Sequence, residues 1–202
     1  MKRLALLLFV SYFLSASQIR ADSLPTAIDF ENLSDSTVIG ASYAADGVIF
    51  SNAVVATAGI SLNDADFPPH SGVNVAIDGF GPITLTFTTP ISSFSAFFTY
   101  ASGLTLTAFN SADQAVASAQ SLLRDNFVSS GNIPNELIQL NSVGGIDRVT
   151  IAGDPNGGSF AFDDVTFIQT SSTPLPEPTT LSLLVTALLC GIISRRIYNP
   201  KS

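Results

Sequence analysis

Ile83-Thr-Leu-Thr-Phe87-Thr-Thr-Pro-Ile-Ser-Ser93-Phe-Ser-Ala-Phe-Phe-Thr-Tyr100 is the stretch whose reading decides the fold. In its first part Ile83, Leu85 and Phe87 share one face while Thr84 and Thr86 share the other, the period-two alternation of a half-buried strand. Thr89-Pro90 reads as a turn, because proline offers no N–H to a sheet ladder. Ser93 to Tyr100 then reads as a second strand, completing a Phe-rich hairpin. Outward from it lie further short runs rich in Thr, Val, Ile and Phe: Val48 to Phe50, Leu104 to Phe109, Ile146 to Ile151 and Phe160 to Phe167. Ala115 to Ala119 is read as strand, although its alanines would also suit a helix, and Ile28-Asp-Phe-Glu31 is read as the opening strand. Turn formers separate these runs at Ser102-Gly103, Asn110 to Asp113, Asn141 to Gly145 and Asp154 to Gly158. Short, regularly spaced strands predict an all-β, antiparallel β-sandwich rather than a parallel sheet covered by helices.

The chain around that segment has 202 residues, 46% of them hydrophobic and 12% charged. Its mean hydropathy of +0.40 is high for a soluble domain. Two uncharged apolar runs, Leu4 to Ile19 and Thr179 to Ser194, account for the excess. They leave a middle of about 150 residues, the size of one domain with a self-sufficient core. From Asp22 to Pro174 there are two arginines, Arg124 and Arg148, against fifteen carboxylates and no lysine. A domain near −13 repels a phosphate backbone, which excludes nucleic acid as a partner. The single cysteine, Cys190, falls in the second apolar run, so the domain has no internal disulfide.

Both ends carry targeting signals. Residues 1–21 read as a secretory signal peptide: Lys2-Arg3, an apolar stretch from Leu4 to Leu14, then small residues up to Ala21. Cleavage after Ala21 or Ser17 fits, with Ala21 favoured, and Sec-type export machinery is the implied partner. At the other end residues 171–178 form a Pro-rich linker holding Pro176-Glu177-Pro178. Residues 179–194 form a short apolar helix and residues 195–202 a basic tail beginning Arg195-Arg196. Sixteen helical residues reach about 24 Å, short of a ~30 Å bilayer core, and the arginine pair extends the span by snorkelling. Basic residues stay on the cytoplasmic side, placing the domain outside.

From Pro174 to Arg196 the order of Pro-Glu-Pro triplet, Thr179-Thr180-Leu181, apolar span and Arg-Arg stop resembles the PEP-CTERM sorting signal of Gram-negative bacteria. Tyr198 to Ser202 extends a little past the usual ending. The resemblance implies recognition by an exosortase-type membrane protease, transient anchoring by the helix, and delivery to the cell surface or an exopolysaccharide matrix. The cadence from residue 26 to 169, closing on Gly158-Ser-Phe-Ala-Phe-Asp-Asp-Val-Thr-Phe167, resembles the jelly-roll sandwiches found before many such signals. More distantly it is similar to carbohydrate-binding-module-like domains.

Catalytic sets are hard to assemble from these residues. His70 is the one histidine, in the loop Asp66-Phe-Pro-Pro-His-Ser71, and it reads as ordinary surface. There is no Gly-x-Ser-x-Gly elbow, no domain cysteine or lysine, and no phosphate- or dinucleotide-binding glycine motif. Carboxylate pairs are what remain, so the alternative to a non-catalytic matrix protein is a carboxylate-dependent hydrolase such as a glycosidase. Polysaccharide is the candidate ligand. Thirteen of the fifteen phenylalanines lie in the domain, mostly at strand positions that suit a core, while Phe67 and Phe80 sit in loops and are the candidate ligand contacts.

A candidate calcium site joins the two ends of the domain. Phe160 and Phe162 share one face but Val165 and Phe167 share the other, so a bulge is expected at Asp163-Asp164 that aims a carboxylate sideways. Asp29 and Glu31 of the opening strand flank Phe30 on one face. In jelly-roll modules of this kind first and last strands lie close and often share calcium, whose ligands are carboxylate and carbonyl oxygens. The alternative is that Asp163 and Asp164 bond loop backbone.

Overall fold

The computed structural model describes residues 24–170. The expected signal peptide at residues 1–21, the Pro176-Glu177-Pro178 triplet, the expected helix at residues 179–194 and Arg195-Arg196 lie outside the described residues. Nine strands follow in order: β1 (Pro25–Ile28), β2 (Val48–Ser51), β3 (Ala53–Thr57), β4 (Asn74–Asp78), β5 (Ile83–Tyr100), β6 (Thr105–Phe109), β7 (Ala115–Gln120), β8 (Glu136–Ala152) and β9 (Phe160–Gln169). Two single 3₁₀ turns, Ala44–Asp46 and Val128–Ser130, are the helical elements among the described residues. The domain is all-β, and every strand pairing is antiparallel.

The strands form one continuous sheet in the order β3-β4-β9-β5-β8-β6-β7, with β1 added to β9 and β2 to β5. It closes on itself because β5 and β8 are long enough to serve two layers. The first half of β5 pairs β2 and the end of β8, while its second half pairs β9 and the start of β8. Register shifts between Thr86 and Ser93 mark where β5 leaves one layer for the other, the role bulges play at the corners of sandwiches.

That corner corrects the expected hairpin. Thr89-Pro90 is a bend inside an 18-residue strand rather than a turn between two strands. Likewise Asn141 to Gly145 lies within β8, a strand of 17 residues whose first half the sequence reading missed. β3 and β4 were also unforeseen: Ala53–Thr57 and Asn74–Asp78 are short and carry no clear alternation. Ala115–Gln120 is a strand, as read, because its alanines fit against Leu106 and Ala108 of β6.

A single core fills the space between the layers. Phe87 meets Phe167 across it at 5.1 Å between ring centroids, and Phe98 stacks on Phe162 at 5.7 Å. Phe30 is fully buried and touches Tyr43, Phe50 and Phe162 edge-on at 5.8–5.9 Å, the geometry aromatic quadrupoles favour. Swinging Phe30 inward forces its backbone to φ 63°. Consequently β1 ends at Ile28, and Asp29 and Glu31 lie in a turn instead of on one strand face.

Candidate functional site

The layer built from β3, β4, β9, the second half of β5 and the start of β8 turns apolar residues outward as well as inward. Ala56, Val75 and Ala161 form a small second core on its outer side, with Leu62, Phe67 and Ile77 packed against them. These residues are covered because the connection from β3 to β4, residues 58–73, is laid across the sheet as a strap. Carboxylates pin it down, some from elsewhere in the chain and one its own, by accepting backbone N–H and hydroxyl groups at and beside the strap in strong charge-assisted bonds.

The pins run the length of the strap. Asp35 accepts Thr57 N–H at 2.9 Å and the Ser61 hydroxyl. Asp66 accepts Ser129 N–H at 3.0 Å, tying the strap to the neighbouring loop, and Phe67 stacks on Phe127 with centroids 6.1 Å apart. Glu31 takes Val73 N–H at 2.8 Å and Asn74 N–H at 2.7 Å through one oxygen. Gly72 sits at φ 52°, and a Cβ there would fall 2.3 Å from that carboxylate. Hydrogen bonding holds the Asp35 and Asp66 carboxyls below the usual carboxylate range.

The bulge expected at Asp163-Asp164 is present: pairing with β5 slips between Ser95 and Phe97, and Asp164 takes φ 48°. Asp163 is 1% exposed. Its carboxylate accepts His70 N–H at 3.0 Å, Ser71 N–H at 2.9 Å and Asp164 N–H at 2.7 Å. Burial pushes this carboxyl up to about 6 against the pull of those bonds, and the charge of Asp164 adds to the rise. Asp164 binds His70 Nδ1 at 2.6 Å and accepts the Ser71 hydroxyl at 2.8 Å. The His70 ring lies flat on Phe97, 3.4 Å between centroids. His70 is exposed, as expected of a surface residue, and it also anchors the strap.

This wiring bears on chemistry. Ser71 and His70 both hydrogen-bond to Asp164 rather than to each other, so the imidazole is not placed to take the serine proton as a triad requires. Asp163 has the raised pKa of a general acid, but both of its oxygens are engaged by backbone N–H and it has no open face for a substrate. As for calcium, the structure brings Asp163 and Asp164 together and sets Glu31 on the far end of the same strap. Asp29 accepts the N–H of Glu31 at 3.2 Å. Among the described residues no group of three or more His, Cys, Asp and Glu side chains is placed to share a metal ion. Both oxygens of Asp163 and of Asp164, and one oxygen each of Asp29 and Glu31, are already engaged in hydrogen bonds.

Beside the strap is a concavity of about 150 Å³ lined by Ser61, Asn63, Phe67, Ile77, Asp78 and Ala161, among others. Asp78 is 2% exposed, and its carboxylate accepts Ser159 N–H at 3.0 Å and Phe160 N–H at 3.2 Å. Burial pushes its carboxyl above the usual range. Of the two aromatic contacts expected from sequence, Phe67 is half-buried in this wall and Phe80 stands 91% exposed at the tip between β4 and β5. Ser61, Asn63 and Asp78 went unnoticed in the sequence; they are single polar residues with no spacing that marks them.

No family model matches the chain, and no curated protein matches it. Several solved structures align with it at low identity. The K2 cleaved adhesin domain of Lys-gingipain aligns with a TM-score of 0.46 at 12% identity, over 71% of this chain and 99% of that one. A point mutant of the family 29 carbohydrate-binding module CBM29-2 aligns at 0.38 and 12%, over 76% and 99%. An arabinose-bound MgGH51 α-L-arabinofuranosidase aligns at 0.41 and 18%, over 69% of this chain but 25% of its own length.

Proposed function

We propose that this chain is an exported, non-catalytic surface or matrix protein whose β-sandwich associates with polysaccharide. The observation that carries the binding half is the concavity beside the strap, which Phe67 lines together with the exposed polar residues Ser61 and Asn63. An apolar ring face next to a few polar groups is the combination that a sugar ring, apolar on its faces and hydroxylated at its edge, requires. At about 150 Å³ the space is well below the ~300–1,000 Å³ of drug-sized pockets, which suits one ring rather than an oligomer. The non-catalytic half is supported by the saturated hydrogen bonding of Asp163 and by the shared carboxylate of His70 and Ser71.

The export half rests on the sequence of the two ends. The signal at residues 1–21 supports Sec-type export. The order Pro176-Glu177-Pro178, apolar span and Arg195-Arg196 supports sorting by an exosortase-type protease to the cell surface or extracellular matrix. Mature protein recovered from the native host should then lack the apolar helix, and an intact, membrane-embedded C-terminus in a host with a working exosortase overturns this half. A glycan array probed with residues 22–174 tests the binding half. Binding that weakens at least tenfold in Phe67→Ala supports it and no bound glycan overturns it; turnover of a bound glycan that is lost on a single carboxylate substitution overturns the non-catalytic half.

A further inference from the structure

Among the described residues, the layer opposite the strap keeps its outer side at least partly open to solvent. Inward residues Ile83, Leu85, Leu106, Ala108, Val149 and Ile151 are buried in the core, so the residues alternating with them face out. Register brings these into rows across the strands. Ser51 pairs Thr84, Thr84 pairs Thr150, Thr150 pairs Thr107, and Thr107 pairs Ser118. Five hydroxyl residues thus lie side by side on five adjacent strands, a row of about 19 Å at ~4.8 Å per strand. In the next row Thr86 pairs Arg148 and Arg148 pairs Phe109. There the Arg148 guanidinium lies 3.9 Å over the Phe109 ring and pairs with Asp113, which flattens the edge of the face and cancels its charge.

We propose that this open face binds a neutral, hydroxyl-rich polysaccharide chain laid across the strands, as a second contact surface beyond the concavity at Phe67. The proposal rests on the polysaccharide reading above and names a different surface and a polymer class for it. Threonine hydroxyls both donate and accept, as sugar hydroxyls do, so a row of them matches a chain of rings without fixing its direction. Of these groups Thr150 accepts from Arg148 at 3.1 Å and Ser118 donates to the Leu106 carbonyl at 3.0 Å. The face holds no carboxylate in its rows, and its one cation is paired. In a domain that carries fifteen carboxylates it is the neutral window, whereas a polyanion would meet repulsion from the rest of the surface.

The test is a pull-down of the full chain, solubilised in detergent, on microcrystalline cellulose and chitin, with immobilised alginate as the acidic comparison. Thr84→Val/Thr107→Val/Thr150→Val removes three hydroxyls while keeping shape and strand preference at outward positions, and Thr84→Ser/Thr107→Ser/Thr150→Ser keeps the hydroxyls. Expected is binding to a neutral polymer that falls at least tenfold in the valine triple and stays within about threefold in the serine triple. Valine-triple binding equal to the unaltered chain overturns the proposal. So does equal loss in the serine triple, or alginate bound as tightly as the neutral polymers. If Phe67→Ala alone abolishes binding, this proposal fails and the concavity reading stands; if the unaltered chain binds no polymer, both fall.

Discussion

The two outer faces of the sandwich share the strands β5 and β8 yet meet solvent in opposite ways. One is covered by residues 58–73, and the other carries rows of threonine and serine over which no segment among the described residues is laid. The covered face has apolar outward residues at Ala56, Val75 and Ala161, together with Asp163 and Glu31 able to receive backbone N–H groups. The open face has hydroxyls that water satisfies as well as protein does. A loop crosses a sheet only where burial outweighs its ordering entropy and its backbone polar groups find partners. On this reading the carboxylates of the strapped face, which a sequence reader takes for metal ligands or acids, act as backbone anchors.

The largest effect expected from breaking that contrast is at Asp163. Asp163→Ala strands three partly buried N–H groups, and at roughly 1–3 kcal/mol per unsatisfied group, offset in part by relaxation and water, it should cost about 3 kcal/mol. For a domain of this size that lowers Tm by roughly 10 °C. A melt within about 2 °C of the unaltered protein would mean that the strap is held by its apolar contacts instead.

The same group sharpens the comparison through pH. Asp163 titrates at about 6 in the folded domain against 3.8 ordinarily, so between these values the folded state holds a proton that the unfolded state has lost. Its contribution to stability is full below 3.8 and is lost as pH rises through about 6. Urea unfolding from about pH 4 to about pH 7.5 should show stability falling across that window, with a shallower fall in Asp163→Ala. Asp78, also raised by burial, keeps part of the slope in the variant. Asp35 and Asp66, held low by hydrogen bonds, act in a separate window: their contribution is lost as pH falls below 3.8. An identical slope in the variant would remove Asp163 from the account.

At the far end of the strap Gly72→Ala should cost about 1–2 kcal/mol, from a left-handed backbone and the clash with Glu31. The smallest effects belong to exposed positions: Thr86→Val on the open face and Phe80→Ala at its loop tip should each stay within about ±0.5 kcal/mol in denaturant melts. A larger loss at Phe80 would show that its ring packs against something other than water.

Much of the fold was legible because alternation is a local property. Thr84/Thr86 against Leu85/Phe87 needs no tertiary information, and the phase change at Asp163-Asp164 announced its bulge in the same way. What misled was local too. Thr89-Pro90 and Asn141 to Gly145 have turn chemistry, yet each is a corner inside a long strand, and a corner differs from a hairpin turn only in where the next segment pairs. His70 beside two prolines gave no hint of Phe97 or Asp164, which lie far away along the chain.

The sequence by itself determined that the domain is all-β, antiparallel and lysine-free, with a phenylalanine core, since period, composition and charge are written residue by residue. It also supplies the order of apolar, proline and arginine features at the two ends on which the proposed export rests. Only the tertiary structure decided which carboxylates would be occupied by backbone N–H groups, which face would be strapped, and that Thr84, Thr107, Thr150, Ser51 and Ser118 would stand in one row. These depend on register between residues as far apart in sequence as Ile83 and Ile151, and register follows from closing a common core, which no single segment encodes.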